Sequence, residues 1–301
     1  MPQALWWLLR RRPAAIFTTG GYVAIPILIA ARLLRIPALL WEGNVVPGKS
    51  VRATARLASA LAVSFSATCA ALATGRSCFV TGTPIRDVSS IDRLAARERL
   101  GVPPYARVVL VFGGSQATRT LNTAVAGALP QLVEKVHVIH LTGADGLSAA
   151  EAARGALPEP VRSRYRPVAF LGEGLLDALA AADIVLGRAG SSTLAETSAF
   201  GLPMVVVPYP HAGAHQRANA AELVDGGAAL YIEDDAFDSA ALLDAVALLQ
   251  DPARHAAMGA AARSLARPRA ADAVAELVLA LAERRPLPTP EQVTAMARGA
   301  A

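Results

Sequence analysis

The sequence is poor in cysteine, histidine and aromatic residues, and these shortages exclude several classes of protein. Its 301 residues include two cysteines and five histidines, and 5% of the side chains are aromatic. Cys69 and Cys78 are too few for a disulfide framework, and their spacing is not that of a metal site. We therefore expect two reduced cytosolic thiols rather than a disulfide-rich secreted domain.

The net charge is small, and apolar runs long enough to span a membrane are scarce as well. The formal net charge is only +5, and no Lys/Arg run is interleaved with aromatic residues, which disfavours nucleic acid as a partner. The amino-terminal stretch MPQALWWLLRRR has its charges after its apolar residues, the reverse of a secretory signal. The uncharged window 57–75 carries five Ser/Thr residues, so it predicts a strand and a small-residue helix rather than a transmembrane span.

Small and branched apolar residues are abundant. The hydrophobic fraction is 53%, and the chain is long enough for two domains that each bury a core. From residue 107 onwards, continuous apolar runs alternate with helical sequence: RVVLVF, VHVIHL, RPVAFL, DIVLG, PMVVV and AALYI. Continuous rather than alternating apolar runs are typical of parallel strands covered on both faces. The pattern predicts a doubly wound α/β domain whose ligands bind outside the carboxyl ends of the strands.

The first hundred residues repeat this organisation less completely. Strand-like runs occur in AIFTT, PALLWE, LAVSF and CFVTG, but Met1 opens directly on helical sequence. A Rossmann-like half usually begins with a strand and a glycine-rich turn, so we expect this domain to lack its beginning. We predict a partial first domain over 1–90, a linker over 91–106, a second domain over 107–268, and a helix and tail over 269–301 that return towards the first domain. Beyond Arg285 we expect a frayed, polar end.

Residues 113–116, GGSQ, lie between a buried strand and a helix. Gly113 and Gly114 have two explanations. They satisfy a tight turn, or they let backbone N–H groups close around an anion at a helix amino terminus. This segment alone does not decide between the two.

Residues 187–203, GRAGSSTLAETSAFGLP, form a second such junction. Thr193 and Glu196 match the T-x-x-E capping box, which is a structural explanation. Alternatively, free N–H groups of the helix bind a diphosphate while Glu196 accepts hydrogen bonds from a ribose diol. Capping accounts for Thr193 and Glu196 but not for the adjacent AGSS, so binding is favoured.

Two further segments carry polar side chains near predicted strand ends. In PYPHAGAHQRANA, residues 208–220, Gln216 and Asn219 lie three apart on one helical face, where their amides suit the hydroxyls of a sugar. An ordinary polar loop is the alternative. In TGTPIR, Arg86 is a candidate phosphate clamp or else a solvated linker side chain.

Together these motifs resemble the MurG family of glycosyltransferases, family 28. The resemblance rests on GGSQ, AGSSTLAE and the spaced HQ-x-x-NA, with support from FTTGGYV and TGTPIR, and it extends from about Ala14 to Ala282. It implies the GT-B fold, two Rossmann-like doubly wound parallel-sheet domains, with the amino-terminal one incomplete here. It also implies an inverting transferase that moves GlcNAc from UDP-GlcNAc to the muramyl 4-hydroxyl of lipid I, giving lipid II in peptidoglycan synthesis. A related transferase for a lipid or natural product, or a truncated non-catalytic UDP-sugar binder, are the alternatives.

The resemblance also implies a set of donor contacts. Ser115 would contact the diphosphate with help from Arg86, and Leu171 would offer backbone atoms to uracil. His215 and Gln216 would contact the GlcNAc hydroxyls. Asn44 would reach the sugar from the first domain. The diphosphate and ribose would be bound by Ser191, Ser192, Thr193, Leu194, Ala195 and Glu196, with Glu196 on the ribose hydroxyls.

The sequence departs from the family in one serious respect. The family's first glycine-rich loop, with its histidine, has no counterpart here, so the catalytic residue is unassigned. We expect either that the natural protein is longer or that this chain turns over slowly. No Asp-x-Asp pair is present, so we predict no required metal, with Mg²⁺ at most stimulating the reaction.

The lipid-linked acceptor implies a peripheral protein at the cytoplasmic face of the bacterial plasma membrane. Near the amino terminus, Trp6, Trp7, Leu8 and Leu9 precede Arg10–Arg12 in an aromatic and basic segment suited to a membrane interface. Inward packing of these apolar residues is the alternative.

Overall fold

The computed structural model describes residues 2–113, 119–210 and 215–299. Contacts divide the chain into two compact units. Unit 1 comprises Met1–Arg86 and Arg267–Ala301, and unit 2 comprises Asp87–Ala266.

The first stretch of unit 1 forms a four-stranded parallel sheet in the order β1-β2-β3-β4. Its strands are β1 (Ile16–Thr18), β2 (Ala38–Glu42), β3 (Ala60–Val63) and β4 (Cys78–Val80). Its helices are α1 (Pro2–Arg11), α2 (Ala24–Leu34), α3 (Lys49–Thr54) and α4 (Ser66–Leu72), with a short 3₁₀ turn at Ala55–Leu57. All four residues of β3 are buried, as expected of a central strand covered on both faces.

Unit 2 forms a six-stranded parallel sheet flanked by helices. Its strands are β5 (Val108–Phe112), β6 (His137–Leu141), β7 (Tyr165–Val168), β8 (Ile184–Gly187), β9 (Met204–Val206) and β10 (Ala229–Tyr231). Its helices are α5 (Arg93–Arg99), α6 (Arg119–Lys135), α7 (Ala144–Ala156), α8 (Glu159–Arg162), α9 (Gly174–Ala181), α10 (Ser191–Ala199), α11 (His215–Asp225), α12 (Ser239–Val246) and α13 (Pro252–Leu265). Two 3₁₀ turns lie at Asp234–Ala236 and Ala247–Gln250.

The strand order of unit 2 determines where a ligand can bind. The order is β10-β9-β8-β5-β6-β7, so the chain first builds one half of the sheet outward from β5 and then the other half from β8. The order therefore reverses between β5 and β8, where Phe112 pairs with Gly187 at the carboxyl ends. Open α/β sheets bind ligands outside such a switch point. The predicted doubly wound domain is confirmed.

The segment 91–106, which we expected to be a linker, contains α5 and belongs to unit 2. The Asp183 carboxylate holds it there. Arg93 Nη2 donates to Asp183 Oδ1 at 2.7 Å, and the buried Arg97 donates from Nη2 to Asp183 Oδ2 at 3.0 Å. The composition of the segment gave no sign of these long-range ion pairs.

The carboxyl-terminal part of unit 1 contains two more helices, α14 (Ala270–Ala282) and α15 (Pro290–Arg298). The prediction of a frayed end beyond Arg285 is wrong. Thr289 and Gln292 form a capping box at the start of α15, and Pro290 occupies its first turn. Val293 and Ala297 are fully buried, so the helix packs one face into the core of unit 1.

The prediction of two reduced thiols is also wrong, because Cys69 and Cys78 form a disulfide. Cys69 lies on α4 and Cys78 begins β4, and their Cα atoms are 5.9 Å apart. The crossover from β3 through α4 to β4 brings the two residues together, which their number and spacing could not reveal. Among the described helices, none is long and apolar enough to cross a bilayer.

Candidate active site

A cavity of about 350 Å³ opens at the carboxyl edge of the unit 2 sheet. It lies on the side of the switch point formed by β5, β6 and β7, and the first turns of α10 close it. Its walls are Phe112, Leu141, Gly143, the segment 169–172, Leu175, Ser192, Thr193 and Glu196. The lining is mainly apolar, with two hydroxyls and one carboxylate on the α10 side, so it suits a flat heterocycle joined to a polar group.

The amino terminus of α10 is held by glycine rather than by a side-chain cap. Gly190 is the N-cap, with φ −69° and ψ 140°, and the Leu194 N–H bonds to the Gly190 carbonyl at 3.0 Å. Thr193 lies inside the helix and not at its N-cap, so the capping box, which was the alternative to the favoured binding role, does not form. The backbone N–H groups at the start of the helix have no intrahelical acceptor by the geometry of the helix. Together with the helix dipole, they form a site for an anion.

Glu196 lies one turn further along α10, beside the cavity. Its side chain is 9% exposed and lies four residues from Ser192, so the two share one face of the helix. Leu194 is buried, whereas Ser191 and Ala195 are half-buried and are not among the cavity-lining residues. The structure thus brings Ser192, Thr193 and Glu196 to one wall.

Leu171 lies on the opposite wall, in the turn after β7. Its carbonyl accepts a hydrogen bond from the Gly174 N–H at 2.8 Å, which fixes the turn before α9. Gly172 in this turn has φ +50°, a conformation that favours glycine. Phe170 also lines the cavity and is 60% exposed, and sequence reasoning missed it. An aromatic residue near the end of the apolar run RPVAFL was the available signal.

Gln216 and Asn219 share a face of α11 as predicted, but they bind the backbone of their own unit. Gln216 Oε1 accepts from the N–H groups of Ala189 at 3.2 Å and Tyr209 at 2.9 Å. Asn219 is fully buried and donates from Nδ2 to the Ala189 carbonyl at 3.2 Å. The interpretation of Asn219 as a sugar contact is therefore wrong, because a buried amide must find its partners inside the fold.

A buried ion pair supports the same region, and sequence reasoning missed it too. Arg188 follows β8, is 4% exposed, and pairs with Asp234. Its Nη1 also donates to the Val207 carbonyl at 3.0 Å, and the guanidinium lies 5.4 Å from the ring centre of Tyr209. Arg188 thus holds the end of β9 rather than reaching out to a ligand.

A second buried network lies behind the cavity wall formed by β6 and β7. His140, which is 1% exposed, contacts the Tyr165 hydroxyl through Nδ1 and Asn122 Oδ1 through Nε2, both at 2.9 Å. Asn122 Nδ2 donates to the Thr142 carbonyl at 3.0 Å. Burial lowers the pKa of His140 to about 4 and raises the pKa of Tyr165, so both side chains are neutral at pH 7.

Asn44, Arg86 and His215 are not among the described residues that line this cavity. Asn44 lies in unit 1, where Glu42 Oε1 accepts from both its N–H at 2.9 Å and its Nδ2 at 3.1 Å. Arg86 is the last residue of that part of unit 1, and its side chain is exposed. His215 is the first residue of α11, and Ser115 lies outside the described residues.

Two family profiles match the chain. The glycosyltransferase family 28 C-terminal domain matches residues 108–277, and the glycosyltransferase family 28 N-terminal domain matches residues 1–63. The chain belongs to glycosyltransferase family 28. As a member of family 28 it is a glycosyltransferase, and the resemblance predicted from its motifs is confirmed.

Relatives and solved structures agree with this assignment. A UDP-N-acetylglucosamine–N-acetylmuramyl-(pentapeptide) pyrophosphoryl-undecaprenol N-acetylglucosamine transferase of Gloeobacter violaceus is 41% identical over 90% of this chain and 74% of its own length. The transferase of the same name from Roseiflexus is 37% identical, over 92% and 72%. Acinetobacter baumannii MurG has a TM-score of 0.74 and 28% identity, covering 92% of this chain and 76% of that one. The predicted GT-B class of two Rossmann-like parallel-sheet units is confirmed for this family 28 chain.

Proposed function

We propose that this chain transfers GlcNAc from UDP-GlcNAc to the muramyl 4-hydroxyl of undecaprenyl-pyrophosphoryl-MurNAc-pentapeptide, which converts lipid I to lipid II. The observation that carries the proposal is the cavity at the switch point of unit 2, bordered by the uncapped amino terminus of α10 and by Glu196. The relatives named above are transferases of this specificity, and the chain covers more than two thirds of their length.

Each part of the nucleotide has a matching surface in unit 2. The uracil ring would lie between Leu141 and the turn at residues 169–172, and the presence of Leu171 in that turn supports a contact between its backbone and the base. The ribose diol donates to the Glu196 carboxylate. The diphosphate faces the first N–H groups of α10, where the helix dipole favours negative charge. Ser115 and Arg86 would add further contacts to the diphosphate.

The reaction is an inverting displacement at the anomeric carbon. The muramyl O4 forms a bond to C1 of GlcNAc, the bond from C1 to the diphosphate oxygen breaks, and the hydroxyl proton passes to a base. Negative charge develops on the departing UDP, so the α10 amino terminus stabilises the transition state electrostatically. His215 and Gln216 would hold the sugar hydroxyls, and Asn44 is a further sugar contact implied by the resemblance. No general base is assigned to this chain.

We propose that the reaction requires no resident metal, because the sequence lacks the Asp-x-Asp pair with which metal-dependent glycosyltransferases hold a diphosphate-bound ion. Mg²⁺ at most stimulates turnover. A chelator titration during turnover tests this. Loss of all activity with excess chelator, restored by Mg²⁺, would contradict the proposal.

We also propose that α1 contacts the cytoplasmic face of the membrane that carries the lipid acceptor. Leu8 packs inward against Ala30 and Ala31 of α2, whereas Trp6 and Trp7 are 59% and 53% exposed. Arg10–Arg12 follow, so apolar rings and positive charge occur together, as in interfacial helices. Vesicles with anionic lipid should bind the chain more strongly than zwitterionic ones, and the double variant Trp6→Ala, Trp7→Ala should bind less. Equal binding by the variant would leave α1 without this role.

The decisive experiment for function uses UDP-GlcNAc and a soluble lipid I analogue. We expect UDP release that depends on the acceptor, together with a disaccharide product linked at the muramyl 4-position. UDP binding without transfer would favour a non-catalytic UDP-sugar binder. Transfer to other lipid or natural-product acceptors, but not to the lipid I analogue, would favour a related transferase of different specificity.

A further inference from the structure

We propose that Asn122 and His140 are positioning residues that set the nucleoside wall of the unit 2 cavity. Neither is among the cavity-lining residues. They act through the two turns that form the wall, the turn after β6 at Gly143 and the turn after β7 at residues 169–172. This inference rests on the proposed function, because it assumes that the cavity holds the uridine of the donor.

The chemistry of the groups fixes the direction of every hydrogen bond in this network. The Thr142 carbonyl can only accept, so the amide of Asn122 must present Nδ2 to it and Oδ1 to His140. His140 must then carry its proton on Nε2, which leaves Nδ1 as the acceptor for the Tyr165 hydroxyl. Burial keeps the imidazole neutral. A single tautomer therefore satisfies all three contacts.

The network closes on itself at the cavity wall. Thr142 donates its N–H to the Val168 carbonyl at 2.9 Å, and its Oγ1 donates to the Gly143 carbonyl at 2.8 Å. Val168 is the last residue of β7, directly before the wall segment 169–172, and Tyr165 is the first residue of the same strand. The circuit thus runs from β7 through His140 and Asn122 to Thr142, and back to the end of β7.

Gly146 on α7 makes room for this arrangement. A Cβ atom added there would lie 2.2 Å from Asn122 Nδ2 and 3.2 Å from Thr142 Cβ. Any larger side chain must therefore displace the Asn122 amide. Gly155, near the end of the same helix, would meet nothing within 4 Å. Comparing Gly146→Ala with Gly155→Ala therefore separates the effect of displacing Asn122 from the general effect of an alanine substitution in a helix.

These features predict variants that separate affinity from stability. Gly146→Ala and Asn122→Ala disturb the link to Thr142, so UDP and uridine should both bind about five- to tenfold more weakly, as for the loss of one neutral hydrogen bond. Gly155→Ala should leave UDP affinity unchanged. Tyr165→Phe removes only the hydroxyl on the far side of His140, so it should lower thermal stability with less than about a threefold change in UDP affinity.

The test is calorimetric titration of the full chain and these four variants with UDP and with uridine, alongside thermal unfolding. The expected result is weaker binding in Gly146→Ala and Asn122→Ala alone, by the same factor for both ligands. If affinity instead followed stability across the variants, or if all four bound like the parent chain, the positioning role would be overturned while the proposed function stood. If the parent chain bound no UDP, the proposed function would fail and this role with it.

Discussion

Gln216 accepts a hydrogen bond at Oε1 from the Ala189 N–H, 3.2 Å away, and so joins the start of α11 to the turn before α10. Asn219 donates to the carbonyl of the same Ala189 at 3.2 Å. Both backbone groups of one residue are therefore held by one face of α11. This arrangement preorganises Gly190 and the amino terminus of α10, where the diphosphate is proposed to bind.

Substitutions at Gln216 can distinguish this support from a direct sugar contact. Gln216→Glu keeps an oxygen for the two backbone N–H groups but removes the amide donor, whereas Gln216→Ala removes both. If the amide nitrogen donates to a GlcNAc hydroxyl, both variants should lose preference for UDP-GlcNAc over UDP. Gln216→Ala should in addition weaken UDP binding by about tenfold, because it also removes the oxygen that accepts from the two backbone N–H groups. The measured quantity is the ratio of the dissociation constants for UDP and UDP-GlcNAc. If this ratio were unchanged in both variants, Gln216 would only support the backbone and would not contact the sugar.

Glu196→Ala should weaken UDP binding by about 1.5–3 kcal/mol, the cost of a charge-assisted hydrogen bond. The substitution removes the carboxylate that would accept hydrogen bonds from the ribose hydroxyls, and Glu196 is only 9% exposed. Calorimetry with UDP and with 2′-deoxy-UDP measures it, and the loss should be smaller for the deoxy ligand. Glu151→Ala on the exposed face of α7 removes the same charge and should change neither affinity. If Glu196→Ala and Glu151→Ala weakened UDP binding equally, the loss would reflect only a long-range charge effect and not a hydrogen bond to the ribose.

The lowered pKa of His140 predicts that acid destabilises the protein. The unfolded chain takes up a proton near pH 6.5, but in the native state His140 stays neutral down to about pH 4. The free energy of unfolding should therefore fall as the pH drops from 6.5 to 4, by about 3 kcal/mol from this residue. Burial also lowers the pKa of His137, so this residue too should lower the free energy of unfolding as the pH drops. Urea unfolding at a series of pH values measures the slope, and His140→Gln should flatten it. An equally steep slope in the variant would contradict the assignment.

Gly187→Ala should destabilise unit 2 by about 1–3 kcal/mol, the usual cost of overpacking. A Cβ atom there would lie 2.5 Å from the Phe112 carbonyl oxygen, at the point where β8 pairs with β5. Gly155→Ala on α7 is the control, because its Cβ would meet nothing within 4 Å. Thermal unfolding compares the two. Equal stability of the variants would show that the strand ends can separate without cost.

The disulfide makes a prediction for unit 1. Cys69→Ala should lower the stability of this unit by about 2–3 kcal/mol, since the crosslink closes a short loop in the unfolded chain. A thiol titration of the denatured, unreduced protein should find no free thiol. Two free thiols in that titration would restore the expectation from the sequence, and the substitution should then cost little.

The strands and their parallel character could be predicted from the sequence because each is a continuous apolar run. RVVLVF and DIVLG became β5 and β8, whereas their pairing at the switch point was decided only by the folded sheet. Local patterns also marked the junctions that carry AGSSTLAE and HQ-x-x-NA. The partners of individual side chains could not be predicted, because Asp183 and Arg97 are 86 residues apart and meet only when the sheet forms.

For the candidate site, sequence determined the residue types at each strand end, and these sufficed to indicate a phosphate and a ribose contact. Only the tertiary structure decided which of them face the cavity. Glu196 does, whereas Asn219 turns inward to Ala189, although both are polar residues on helices that follow a strand end. Periodicity gives the direction of a side chain relative to its own helix, but not what packs against that face. The same limit hid the disulfide and the His140 network, whose members come from different elements and are joined only by packing.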